Sequence, residues 1–510
     1  MTRRALPAIV VIIAALAAIV VVGRESVEPT TPVFAEERGT WMPAVGVSGS
    51  LTGSWFCPGV PATGEAGVGG DVVVSNRDGS QLTGRYTILT PDGVASERSF
   101  TVDAWSQTRI DVGATLAEPV PFASVVVEIE GGGGLVEQRA VHPAGESVAA
   151  CANDTSETWY LADGFTLGGS TETLVLTNPF EETVRASLRF STAEREAQPG
   201  QFRGFIVPPR SVRVIPIAEL GARDEPVIAT SIEVNAGRLV VGRAQHYVGG
   251  GRLGYDVSLA APALRDQWWF ALGERQDGVS ETYSIYNPTD DDVEVTVFFG
   301  GLPIGSGVED LDPIPVPPRR VVIFDPYADD GATFSAEDGD DGATADDGAF
   351  DSVFGSGGVI PDGPHAAVFS TLAQPSIVVE RIMTVPTESS ITTTINLGAP
   401  PRPDGFVSTT WHMGIGPRNA TPEALVVWNI DQAPATIDVS AVGPAGPTPV
   451  PSLTGLTAPP GETFRIDLTD PDVIGQELII ETSNRVFVER LLPRGNGLDG
   501  RSASWLLPAT

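Results

Sequence analysis

The feature that most limits what this chain can fold into is a unit of roughly 100 residues that recurs four times. Each copy opens on a tryptophan in a short apolar run: "SWFC" (Trp55), "TWYL" (Trp159), "QWWF" (Trp268) and "TWHM" (Trp411). Further on, an alternating apolar stretch ends in asparagine: "VVVSN", "LVLTN", "YSIYN" and "LVVWN", at Asn76, Asn178, Asn287 and Asn429. The late marks "VEQR", "VVGR", "VVER" and "FVER" end at Arg139, Arg243, Arg381 and Arg490. From tryptophan to arginine the interval is 84 residues in copies one and two, 113 in copy three and 79 in copy four. Copy three therefore carries an insertion.

Within each copy the apolar residues alternate in short runs between turn residues, and no stretch has the helical period. The chain holds 57 glycines and 43 prolines, which suits many strands and tight turns. The expectation is an all-β protein: four tandem immunoglobulin-like antiparallel β-sandwich units. Their expected bounds are 51–153, 154–263, 264–402 and 403–510, forming a stalk. Trp505 reads as part of the last strand of copy four.

In a strand, successive side chains take opposite faces. Trp55 then shares a face with Cys57, Trp159 with Leu161, Trp268 with Phe270 and Trp411 with Met413. All are apolar, so this is the expected core face. The opposite face carries Phe56, Tyr160, Trp269 and His412, which, if exposed, would form an aromatic row for a glycan or partner. The asparagines stand where strand gives way to turn and read as turn formers. The arginines read as structural residues across a sheet, with Glu380 and Glu489 on the opposite face from Arg381 and Arg490.

Cys57 falls in the first strand of copy one and Cys151 in its last, strands that can be neighbours in a sandwich. A disulfide is expected. The four histidines, His142, His246, His365 and His412, are scattered, and no metal site, cofactor or catalytic constellation can be assembled from the chain. The insertion, 328–358, repeats "DDGA" and holds no basic residue. It reads as a solvated loop, with divalent-cation binding as the alternative; an EF-hand register fails because Gly342 and Ala343 occupy positions five and six from Asp338. All 31 basic residues are arginine, and a net charge of −34 argues against nucleic acid as a partner.

Leu6 to Gly23 is an uncharged, mostly apolar run behind Arg3 and Arg4. It reads as a single transmembrane helix with a cytoplasmic stub at 1–5 and an extracytoplasmic linker at 24–50. A signal peptide cleaved after "VFA" is the competing reading.

The tryptophan opening, the apolar strand ending in asparagine (followed by proline in copies two and three) and the late Val-x-Glu-Arg resemble repeats of secreted bacterial surface proteins. The N-terminal run with "SWFCPG" resembles an actinobacterial family of membrane-anchored secreted proteins of unknown function. Copy one departs from the pattern at Arg77 and Gln138, and copy two at Gly242. The resemblance implies a plasma-membrane location and tandem architecture, and no activity. The combined expectation is a non-catalytic structural or interaction protein of the cell envelope. Its expected partners are the plasma membrane, through the helix, and an envelope protein or polysaccharide. A glycan-binding module and a cation-binding surface protein are the alternatives.

Overall fold

A computed structural model describes Pro43, Val45 and residues 52–509, apart from 132, 302–310, 328–359, 361, 373, 389, 401–407, 415–421 and 496. The expected transmembrane helix, cytoplasmic stub and acidic insertion lie outside the described residues. No helix among the described residues is long and apolar enough to cross a membrane.

The fold is all-β, built from antiparallel sheets that face each other in sandwich-like pairs. The first pair has eight strands: Thr52–Ala62, Gly69–Asn76, Leu82–Thr90, Gly93–Val102, Gln107–Asp111, Val120–Glu130, Gly134–His142 and Gly145–Ala150. Numbered by chain order, they form one sheet in the order 1-6-3-4 and another in the order 5-2-7-8. The second pair (Thr158–Leu259) and the third (Gln267–Leu397) repeat both orders. In the fourth, strands six and seven run on as one 17-residue strand, Glu477–Pro493, that passes from one sheet to the other. Its two sheets therefore merge into one of nine strands.

This order differs from an immunoglobulin sandwich at its ends. There the first strand joins the sheet of the second, and the last joins that of the sixth. Here the first strand pairs with the sixth, and the seventh crosses to pair with the second. The edge of each first strand is closed by the segment that follows the eighth: Phe56 bridges Ala152, Tyr160 bridges Ala261, Trp269 bridges Ala399, and His412 pairs with Leu507. The apolar "AAPA" and "LLPA" endings are thus edge covers, which remove an exposed template for aggregation.

The sheet pairs do not extend into a stalk. The eighth strands pack one against the next in a cycle: Gly145–Ala150 on Gly254–Leu259, that on Ile391–Leu397, that on Arg501–Trp505, and that back on Gly145–Ala150. The compact unit Trp41–Thr510 forms a closed ring of four sheet pairs with these strands around its axis. Ring closure is also visible at the ends, where Val45 N–H donates to the Pro508 carbonyl at 3.0 Å.

Cys57 and Cys151 form the disulfide. At the same place the other pairs set Leu161 beside Ala260, Phe270 beside Gly398, and Met413 beside Leu506. The third pair's combination is tightly matched: a Cβ on Gly398 would lie 2.8 Å from Phe270. Each pair fills the same site with different shapes, and the first fills it with a covalent bond.

Candidate functional site

The four anchoring tryptophans are buried, and three use the indole N–H inside the fold. Trp159 donates to Leu239 O at 3.2 Å, Trp268 to Ile377 O at 2.9 Å and Trp411 to Ser408 O at 3.1 Å. The four asparagines are fully buried and act as clamps. Asn178 Nδ2 donates to the carbonyls of Glu182, Val207 and Pro208, while its Oδ1 accepts from Phe180 N–H. Asn76 and Asn287 do the same in their own copies, and Asn429 reaches Ala433 and Ala458. Each asparagine therefore ties its own turn to the turn before the fifth strand, as well as forming the first.

The second of those turns places one residue at positive φ in every copy: Trp105 (53°), Arg210 (44°), Arg319 (56°) and Gly461 (70°). For a non-glycine side chain this backbone is strained. The three side chains use it to reach the preceding sheet pair. Arg210 pairs with Glu97 at 2.9 Å, Arg319 with Glu196 at 2.8 Å, and Trp105 rests on Gly446.

The aromatic row is not an exposed platform. Phe56 lies in the apolar cluster of the second pair with Leu174 and Val175. Tyr160 packs against the cluster that runs through the third and fourth pairs. Trp269 packs with tilted rings at 5.0 Å from Trp428 and 4.9 Å from Phe487 of the fourth. His412 faces Arg77 of the first; burial and then that arginine hold its imidazole neutral, well below the usual histidine range. Every member of the row is a seat for the next sheet pair.

The late arginines join the ring. Arg243 of the second pair meets Glu380 of the third at 2.7 Å, and Arg381 of the third meets Glu489 of the fourth at 2.9 Å. Arg490 of the fourth meets Glu137 of the first at 3.6 Å. The receiving carboxylates also take backbone N–H donors. Glu380 accepts from Ala162 and Asp163 at 2.8 and 2.7 Å, and Glu489 from Leu272 at 2.6 Å. Behind each arginine stands a second buried glutamate of its own sheet, Glu172, Glu281 or Glu423. Each lies six residues before its asparagine, a recurrence visible in the sequence once the copies are aligned there. Glu423 bonds Arg490 directly at 2.5 Å.

The register of the first copy requires a correction. Counting from the asparagine, Arg243, Arg381 and Arg490 lie opposite Leu174, Tyr283 and Leu425. In the first copy that place, opposite Val72, belongs to Gln138, and Arg139 lies one residue further, opposite Asp71. Arg139 is a local partner of Asp71. The counterpart of Glu380 and Glu489 is Glu137.

At the junction of the first and second pairs every ionic member is replaced. The inner glutamate is Gly70, the arginine is Gln138, and the receiving glutamate is Gly242. Of the two residues that would offer an N–H, Pro58 and Gly59, the first has none. The replacements fit each other: a Cβ on Gly242 would lie 2.8 Å from both the ring and the carbonyl oxygen of Pro58. Phe56, Leu89 and Val126 supply apolar contact instead, and Ser124 and Thr177 share a 2.6 Å hydrogen bond.

Near the axis, Arg494 of the fourth pair is buried and donates to carbonyls of the other three. These are Thr393 O at 3.2 Å, Ala144 O at 2.9 Å and Tyr255 O at 3.3 Å. Gly145 and Gly254 give it room, since a Cβ at either would lie within 2.6 Å of the guanidinium. Beside it His142 stacks on Tyr255 and meets His246 at 4.4 Å. Burial, with His246 and Arg494 nearby, lowers His142 to about 4.

Burial also governs the glutamates. It pushes Glu172, whose two oxygens accept no hydrogen bond, up to about 8 despite Arg243. It raises Glu137 to about 7 against the pull of Arg490. Glu281 goes the other way: His365, Arg381 and Tyr283 outweigh its burial and hold it at about 2.

The glutamates are buried, Glu137 at a junction between sheet pairs and Glu281 against Tyr283, Tyr327 and His365 of its own pair. Among the described residues no set of three or more His, Cys, Asp or Glu is placed to hold a metal. A cleft of about 350 Å³ in the first pair is lined by Ala62, Gly69, Gly70, Asp111, Leu116 and Pro119 among others. It offers one carboxylate and no second group to work with it.

No family model matches the chain, and no curated protein matches it. Among solved structures it is similar to one described as "Crystal Structure of Thermotoga maritima 1070", at 17% identity. That match covers 21% of this chain and 94% of the other, with a TM-score of 0.19, too slight a likeness to carry an argument.

Proposed function

We propose that this protein is a non-catalytic scaffold of the bacterial cell envelope. It is held in the plasma membrane by residues 6–23, with its bulk outside the cytoplasm. The sheet pairs are four tandem units of immunoglobulin-like architecture with exchanged end strands, bounded at 51–153, 154–263, 264–402 and 403–510. The observation that carries the reading is the use of the buried arginines and glutamates: they join units to one another, as a scaffold requires. The disulfide supports an oxidising compartment, and Arg3 and Arg4 ahead of the apolar run support a cytoplasmic N-terminus. Outer surfaces of the ring contact an envelope protein or polysaccharide. The resemblance to actinobacterial membrane-anchored proteins agrees with this placement. Protease added to intact cells tests it. Cleavage of the bulk from outside, with residues 1–30 left in the membrane fraction, is the expected result. Full protection, with the chain in the soluble cytoplasmic fraction, rejects it.

A further inference from the structure

Three of the four junctions are crossed by the chain itself, and the one between the fourth and first sheet pairs is not. Its contacts run head to tail, as at the ionic junctions. The fourth pair offers Arg490 and Glu477; the first offers Glu137, Arg77 and Gln107. Contacts of this kind close into rings or join separate molecules, according to whether the rotation returns to its start.

We propose that these two faces also form a docking surface for a second copy of this chain, with the fourth sheet pair of one molecule seated on the first sheet pair of another. In such an exchange Arg490–Glu137, Arg77–Glu477 and the bonds from Arg494 to Ala144 are remade between chains, and because the same geometry already closes after four pairs, a second junction in each chain opens and is exchanged with them. The bonds broken and the bonds made are the same, so the exchange is close to neutral in energy. The closing junction is also the least satisfied of the ionic ones. Arg490 stands 3.6 Å from Glu137, against 2.7 and 2.9 Å at the other two. Glu137 Oε2 accepts no hydrogen bond, and Arg77 and Glu477, 3.0 Å apart, are not aligned as one. Buried charges with incomplete partners cost stability, so the ring opens here first. Within one chain the two faces meet at an effective concentration on the order of 1 mM. Closed monomers therefore dominate dilute solutions, and exchange needs opening at high concentration. This proposal is independent of where the protein resides.

Full-length Arg77→Cys and full-length Glu477→Cys chains, mixed, test it. The mixture is opened in mild denaturant, concentrated, returned to buffer and oxidised. A disulfide-linked heterodimer at least tenfold above the linked product of either chain alone is the expected result. The double variant, kept dilute, should close the bond within one chain and stay monomeric. If the double variant closes its own bond and the mixture yields no heterodimer, exchange does not occur. If the double variant fails to close, the two positions lie beyond disulfide reach and the tagged chains below decide the proposal. Unsubstituted chains carrying two different affinity tags give a second readout that does not burden folding. Absence of co-purification after the same cycle overturns the proposal.

Discussion

The first junction and the three that follow it solve one problem in two ways. Between the second, third and fourth pairs, and back to the first, an arginine lies between a glutamate of its own sheet and one from the next. Between the first and second pairs the arginine and both glutamates are gone together, and Pro58 stands where an N–H would be given. The difference shows that the ionic set behaves as a block. A buried arginine without its carboxylates, or a carboxylate without its arginine, costs more than having none. A coherent apolar replacement is tolerated where a partial one is not. It also ties the disulfide and the apolar junction to the same sheet pair.

The largest effect expected from this comparison follows a single break at an ionic junction. Glu380→Ala leaves Arg243 buried and two N–H groups without an acceptor, at a cost of about 3–5 kcal/mol. Installing one ionic member at the apolar junction should cost a similar amount: Gln138→Arg buries a charge against Gly70 and Gly242. Chemical denaturation of both variants checks the pair. A near-neutral Gln138→Arg would break the idea that the set acts together.

The next effect is on pH dependence. Glu172 rises from 4.5 to about 8 on folding and Glu137 from 4.5 to about 7. Folding therefore takes up protons, and the stability these groups lend is complete below pH 4.5. It is lost as pH rises toward 7 and 8, with a slope of up to about 1.4 kcal/mol per pH unit for each group. Glu281, held near 2, and His142, lowered to about 4, act in the opposite sense as pH falls. Stability should peak near pH 5 and decline toward pH 8 in denaturant titrations, and Glu172→Gln should flatten that decline. An unchanged slope in the variant would mean that Glu172 does not set the decline. The apolar junction has no member of this kind.

The smallest effect concerns the outer contacts. Arg319→Gly removes solvent-screened ion pairs to Glu196 and Asp290, which contribute little. It also relieves a strained backbone, so the net change should lie within about 1 kcal/mol of zero. A loss as large as that of Glu380→Ala would move the main junction energy to the rim.

Much of the fold was legible because its marks are periodic. Trp55, Trp159, Trp268 and Trp411 are core anchors, and the asparagines sit at strand ends, as alternation and turn chemistry imply. The disulfide followed from the placing of Cys57 and Cys151 at the two ends of one copy. Three things were hidden. Matching "VEQR" on its arginine put Arg139 one residue out of register, because a strand shifted by one residue keeps its look while exchanging its faces. Glu172, Glu281 and Glu423 were readable only by counting back from the asparagine. Ring closure leaves no local signal: the fit of Gly70, Pro58 and Gly242 shows only once the surface each one meets is known. For the same reason Phe56, Tyr160, Trp269 and His412 pass for an exposed row.

Solution scattering from the chain beginning at Trp41 tests the central claim, that four sheet pairs close on themselves. A closed ring should give a radius of gyration near that of a compact chain of this length, roughly 23 Å, and one compact peak in the pair-distance distribution. A radius roughly twice as large, with a long tail of distances, would mean a stalk and would contradict the ring.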